Sequence, residues 1–201
     1  LYKEEDSMLE KEFRSVNGLE SKEGSRTITG YAIVVNSPSQ DIGFREYVHP
    51  EALTDELIKE SDIFALLNHD EHDVLARCKN GVGNLKLTID ARGLKYEFDA
   101  LNNELGDRVL SYVQSGIIDG SSFAFAVADD GQKWSRNADG SIQRDIYKFE
   151  RIYDISPVYV PAYPSTSCSC RAFDEFKKAE EKRNAERKAE YDEYRQKINS
   201  L

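Results

Sequence analysis

The chain has 201 residues, 39% apolar and 32% charged, with a formal net charge of −10. That length and apolar content suit one domain of ordinary size with a real core and some extension, while the acidic balance argues against nucleic acid as the main partner. No apolar run approaches a membrane span and the first residues carry no signal-peptide pattern, so the expectation is a soluble, non-secreted protein with no membrane partner.

Residues 1–10 are polar and acidic and read as a loose extension, followed by a short first strand over Lys11–Val16 and a charged Gly/Ser-containing loop over Gly18–Ser25. Arg26–Val35 is rich in β-branched and aromatic residues and reads as a strand ended by Asn36-Ser37-Pro38-Ser39. Phe44–Val48 is a second short strand. A helix is expected from Pro50, with Leu53 and Leu57 on one stripe. Asp62–Leu67 reads as a buried strand that delivers Asn68-His69-Asp70 at its end. Asn84–Asp90 and Gly93–Ala100 alternate apolar residues on either side of a Gly-containing turn, which predicts a hairpin. Asn103–Ser115 is an amphipathic helix with Gly116 where a C-terminal cap belongs. Beyond residue 120 come a strand, a strand around Trp134, and a long strand from Ser141 to Ile155. Ser156–Pro164 is proline-punctuated and extended, running along a sheet edge or closing over the site. From Asp174 the chain is mostly Lys, Arg, Glu and Ala without Gly or Pro. This predicts a solvated helical tail with a thin apolar stripe, or else a partner-binding helix. Many short strands with two inserted helices predict a mostly-β, α+β domain of barrel or sandwich type.

The stretch with most chemistry in it is Gly120-Ser121-Ser122-Phe123-Ala124-Phe125. Strand side chains alternate faces, so Phe123, Phe125 and Val127 share a bulky apolar face. Ser122, Ala124 and Ala126 share a small one on which a substrate has room to lie. Ser121 falls on the Phe side, which makes Ser122 the candidate nucleophile. Only three histidines are present to serve it as a base. His49 precedes a proline at a helix start and reads as a capping or turn residue. His72 lies in an acidic loop. His69 sits at a strand end, held by a rigid element and exposed at its tip. Asn68-His69-Asp70-Glu71-His72 lacks the helical context and third ligand of a zinc site, and Cys168-Ser169-Cys170 has no histidine near it, so no metal or cofactor is expected. Three cysteines without a regular framework suggest free thiols. No Gly-x-Ser-x-Gly elbow occurs, which argues against an α/β-hydrolase.

The order and spacing of several short stretches carry a family resemblance. They are Gly30-Tyr31-Ala32, Arg45-Glu46 before Pro50-Glu51-Ala52-Leu53, Asn68-His69-Asp70, Gly93-Leu94, Gly116, Gly120–Phe125, Asp154-Ile155-Ser156-Pro157-Val158 and Pro161-Ala162-Tyr163. Over roughly residues 26 to 166 the chain resembles the prohead maturation proteases of tailed bacteriophages, which are similar in fold to the herpesvirus assemblins. The resemblance implies an assemblin-like β-barrel flanked by helices, in a serine endopeptidase whose histidine maps onto His69 and whose serine maps onto Ser122. The later family motif often begins with Glu. Here the acid is Asp154, one methylene shorter, as third catalytic member, with His72 in reserve. The family's Ser-Phe-Gly-Phe is here Ser-Phe-Ala-Phe, with Ala124 still small. Oxyanion donors are not legible; loops near Arg136 or Pro161 are the two places considered. The resemblance also implies phage scaffold and major capsid proteins as substrates, self-cleavage, and action inside the immature capsid in the bacterial host cytoplasm. It is compatible with a homo-oligomer. The expected organisation is an extension with a first strand over 1–25, a protease domain over 26–172 and the helical tail over 173–201. The rival reading is a catalytically silent capsid-assembly or scaffolding protein that keeps the fold. A weaker one is a metal hydrolase using His69 and His72.

Overall fold

A computed structural model of the chain describes residues 11–21, 24–159 and 167–199. Two compact units are present, Leu1–Ser165 and Thr166–Leu201. In the first, the strands are β1 (Glu12–Asn17), β2 (Glu20–Ser21), β3 (Thr27–Val34), β4 (Arg45–Val48), β5 (Asp62–Leu66), β6 (Val74–Lys79), β7 (Val82–Gly83), β8 (Lys86–Asp90), β9 (Gly93–Asp99), β10 (Gly120–Val127), β11 (Gln132–Arg136), β12 (Ile142–Ile146) and β13 (Phe149–Val158). Two α-helices, α1 (Asp55–Glu60) and α2 (Glu104–Gln114), are inserted among them, and α3 (Ser167–Asn199) makes the second unit. The protein is therefore mostly β with helices, as the sequence predicts.

The expected closed barrel does not form among the described residues. The strands sort into three sheets, of order β1-β10-β13-β5-β6-β7, β11-β12-β4 and β2-β3-β9-β8. Most neighbours are antiparallel, but β13 pairs parallel to β5, and β12 parallel to β4. The Phe face of β10 supplies the centre of the core. Phe123 stacks on Phe125 at 4.8 Å, and both meet Phe149 edge-on. These rings, with Ile28, Ile33, Leu94, Ile152 and Ile155, belong to one buried cluster.

Local chemistry explains several boundaries. Asn103 caps α2 by accepting from the Gly106 amide, and Gly116 follows the helix at φ 72°, a left-handed value that glycine adopts without penalty. Gly93 opens β9 at φ 146°, where a Cβ would stand 2.0 Å from the Ile33 carbonyl oxygen. Two expectations are corrected. Pro50–Ala52 forms only a 3-10 turn, and the α-helix begins after Thr54, whose side chain accepts from the Leu57 amide. The long strand from Ser141 is two strands in different sheets, with a turn at Tyr147-Lys148 where both amides donate to the Gly131 carbonyl. Strand β6 has no counterpart among the predicted elements and is half buried through Leu75, Ala76 and Cys78.

The first strand is held by charge. Arg144, 1% exposed, donates from Nη1 and Nη2 to the two carboxylate oxygens of Glu12 at 2.6 and 2.7 Å, and from Nη1 to Glu46 at 2.9 Å. Arg14 donates to the same two carboxylates. Burial works to raise the Glu12 carboxyl, but the Arg144 hydrogen bonds and the charges of both arginines outweigh it and hold it below the usual range. The cluster ties β1, β4 and β12 together across 132 residues of sequence.

Candidate active site

Strand β10 lies between β1 and β13. Ser122 stands opposite Ser15 on one side and Ser156 on the other, and Ala124 stands opposite Phe13 and Asp154. Partners in register share a face, so these side chains make two adjacent rows on the small face of the sheet. A β-bulge sets the second row. Ala124 pairs with Asp154, but Phe125 pairs with Ile152, which leaves Tyr153 extra on β13. In a regular strand Ile152 would share the face of Asp154. The bulge turns Ile152 into the core beside Phe125, on the side that Ile155 already shares with Phe123, and leaves Asp154 and Ser156 beside Ser122.

His69 reaches this face from the loop after β5. Asn68 and His69 both have left-handed backbones, at φ 55° and 62°, which is uncommon for residues with a Cβ and costs on the order of 1–3 kcal/mol each. The loop is fixed by the Asn68 amide donating to the Pro157 carbonyl at 2.9 Å, and by Leu67 and Asp73 bonding within it. His69 Nδ1 lies 2.5 Å from Asp154 Oδ1, which also accepts from the Ser156 hydroxyl at 2.8 Å. The other carboxylate oxygen, Oδ2, forms an ion pair with Lys11 Nζ at 3.3 Å. Phe13 presses its ring edge-on against the His69 imidazole at 4.7 Å. Burial of Asp154 works to raise its carboxyl; the His69 hydrogen bond and charge, the Ser156 hydroxyl and Lys11 outweigh burial and hold it below the usual carboxylate range. An ionised carboxylate only accepts, so the proton of that contact sits on Nδ1 and leaves the Nε2 lone pair available. Nε2 and the Ser122 hydroxyl oxygen are both buried, and neither has a hydrogen-bond partner among the described residues.

The two adjacent serines are distinguished by their partners. Ser121 Oγ and the Tyr96 hydroxyl are 2.7 Å apart in the core, where burial pushes the Tyr96 phenol upward and keeps it neutral. Ser122 points to the other face, as the alternation predicts. That face is more enclosed than an open cleft, since every residue from Gly120 to Ala126 is buried.

A family model described as caudovirus prohead serine protease matches residues 12–179. The chain belongs to that family. It is therefore a protease by family, and the match begins with β1, the strand that carries Phe13. Among solved structures, the capsid assembly protease of bacteriophage T4 is similar, at 11% identity and a TM-score of 0.47, the match covering 75% of this chain and 96% of that one. The comparison with curated proteins returned no match.

The remaining candidates lie elsewhere. His49 stands at the N-cap of the turn that follows it, but its side chain makes no capping hydrogen bond; Nε2 contacts Asp145 Oδ1 at 2.8 Å, and its ring stacks on Tyr147. His72 is 96% exposed and bound to Asp70, and Asp154 rather than His72 holds His69. Arg136 ends β11 with its guanidinium on the Gly140 carbonyl, while Pro161 and Tyr163 lie outside the described residues. Cys78 is a buried free thiol, and Cys168 and Cys170 fall at the start of α3. No group of three metal-binding side chains occurs among the described residues, and no described helix is long and apolar enough to cross a membrane. Sequence reasoning missed Lys11, Phe13 and Ser156. Only Ser156 carried a signal, its place two residues after Asp154 on the same strand face.

Proposed function

We propose that the chain is a serine endopeptidase in which Ser122 is the nucleophile, His69 the general base and Asp154 the residue that orients and charges the imidazole. The observation that carries this reading is the His69 Nδ1–Asp154 Oδ1 contact, because it leaves Nε2 as the free base on the face that Ser122 occupies. A serine hydroxyl is a poor nucleophile until a base takes its proton during attack. Nε2 accepts that proton as Ser122 Oγ adds to the scissile carbonyl, and the buried carboxylate stabilises the imidazolium. The imidazolium then protonates the departing amine, and water hydrolyses the acyl-enzyme by the same route.

The substrate we assign is a phage scaffold protein, or the scaffolding segment of the capsid protein, and a bond of the protease itself, cut inside the immature capsid in the host cell. Membership of the prohead protease family supports this. Co-expression with the neighbouring capsid and scaffold genes, followed by mass spectrometry of the termini, tests it. New termini that vanish with Ser122→Ala support it; intact capsid and scaffold chains refute it. One observation favours a second reading, a silent assembly protein: Ser122 Oγ is fully buried and makes no hydrogen bond to His69. Such contacts often tighten only with substrate bound. Labelling of Ser122 by a fluorophosphonate separates the two readings.

A further inference from the structure

The Asp154 carboxylate has two oxygens with different neighbours. Oδ1 takes hydrogen bonds with His69 and Ser156, while Oδ2 has no hydrogen-bond partner among the described residues and meets Lys11 only as an ion pair at 3.3 Å. Lys11 comes from the residue just before β1, and its neighbour-but-one Phe13 packs against the His69 ring. The Lys11 ammonium also lies over the rings of Phe13 and Tyr153, at 5.8 and 5.1 Å, so it is seated among fixed groups on this face. On the opposite face of β1, Glu12 and Arg14 enter the buried cluster with Arg144 and Glu46, which fixes the strand and with it the place of Lys11.

We propose that Lys11 is a positioning residue for catalysis, holding Asp154 through Oδ2 and setting how strongly the His69–Asp154 pair binds its proton. This rests on the reading of Ser122, His69 and Asp154 as the catalytic group. Around His69, Asp154 faces it from β13 and Lys11 from the start of β1. On its own loop Asp70 is bound to His72, Glu71 is exposed, and Asp73 is paired with Arg108 of α2. Ser122 from β10 is uncharged. Lys11 is thus a cation at the pair held against the carboxylate itself. A cation there opposes the imidazolium and favours the ionised carboxylate, so the pair accepts a proton at lower pH than it would without Lys11.

The test compares the full chain with Lys11→Met, Lys11→Gln and Lys11→Arg. Lys11 has a 36% exposed side chain, so neutral replacements of similar length fit. Two readouts are taken: the acid limb of kcat/KM against pH, and the imidazole resonances against pH, resolvable because the chain has three histidines. Expected for Met and Gln is an upward move of the His69 titration and of the acid limb on the order of half a pH unit, with His49 and His72 unmoved and Arg close to the parent. A His69 titration that is the same with and without the charge overturns the proposal, as does an equal shift of His49 and His72 in the Met and Gln variants. If Ser122→Ala still cleaves, the reading of Ser122 as nucleophile fails separately, and the resonance titration still decides the role of Lys11.

Discussion

Arg144→Met removes the centre of the cluster that pins the first strand. The parent cluster balances Arg14 and Arg144 against Glu12 and Glu46, with both partners of the Arg144–Glu12 pair 1% exposed. The variant leaves two buried carboxylates sharing one guanidinium. Breaking a buried pair on one side costs about 3–5 kcal/mol, chiefly from the uncompensated charge left behind. For a domain of this size each kcal/mol moves Tm by about 2–4 °C, so the melting temperature should fall by roughly 6–20 °C. Urea unfolding followed by circular dichroism measures the free-energy loss, and thermal unfolding the fall in Tm. Adding Glu12→Gln leaves Arg14 with Glu46, already bonded at 2.7 Å, and should recover at least about 1 kcal/mol. The gap should also depend on pH. Glu12 lies below its ordinary value of 4.5 in the fold, so its contribution is present above that pH and is lost as pH falls below it. The parent should therefore lose its advantage over Arg144→Met in acid. A loss under about 1 kcal/mol at pH 7, or a gap that widens in acid, would refute the account of this cluster.

Asp154→Asn keeps the shape but lets the wrong tautomer of His69 form; kcat should fall by about 10⁴ with the fold intact by circular dichroism. Ser121→Ala should retain cleavage but cost about 1–3 kcal/mol in urea unfolding, because the buried Tyr96 hydroxyl loses its partner. Deleting residues 174–201 should leave the first unit folded with little change in Tm, since most described side chains of α3 are exposed and its charged surface buries little area; a large drop would show that the tail packs. Each of these uses purified protein and one spectroscopic or kinetic readout.

The candidate site was legible wherever local alternation or order along the chain decided its placement. Ser122 follows from the period of two, which sends Ser121 to Tyr96 and Ser122 to the small face. His69 follows from a buried strand ending in a polar triplet, and Asp154 from its place in the family's motif. What stayed hidden depended on long-range pairing or on backbone irregularity. The bulge at Tyr153 inverts the face of Ile152 without any Gly or Pro to announce it. The break at Tyr147-Lys148 is a hydrogen-bonded crossing to Gly131, again without a local signal. Glu12 and Arg14 lie far in sequence from Glu46 and from Arg144, and only the pairing of the sheets brings them together. Lys11 likewise opens the predicted first strand without a local sign that it meets Asp154. The closed barrel failed because strand signals locate segments one at a time, whereas the order in which strands pair is set by contacts far apart in sequence.

The most direct measurement is cleavage of a scaffold-derived substrate by Ser122→Ala and Ser121→Ala side by side, with fluorophosphonate labelling of the parent mapped by mass spectrometry. The account predicts label on Ser122, loss of rate on the order of 10⁶ in Ser122→Ala, and most activity kept in Ser121→Ala. Label on Ser121 or Ser156, or undiminished cleavage by Ser122→Ala, would contradict it.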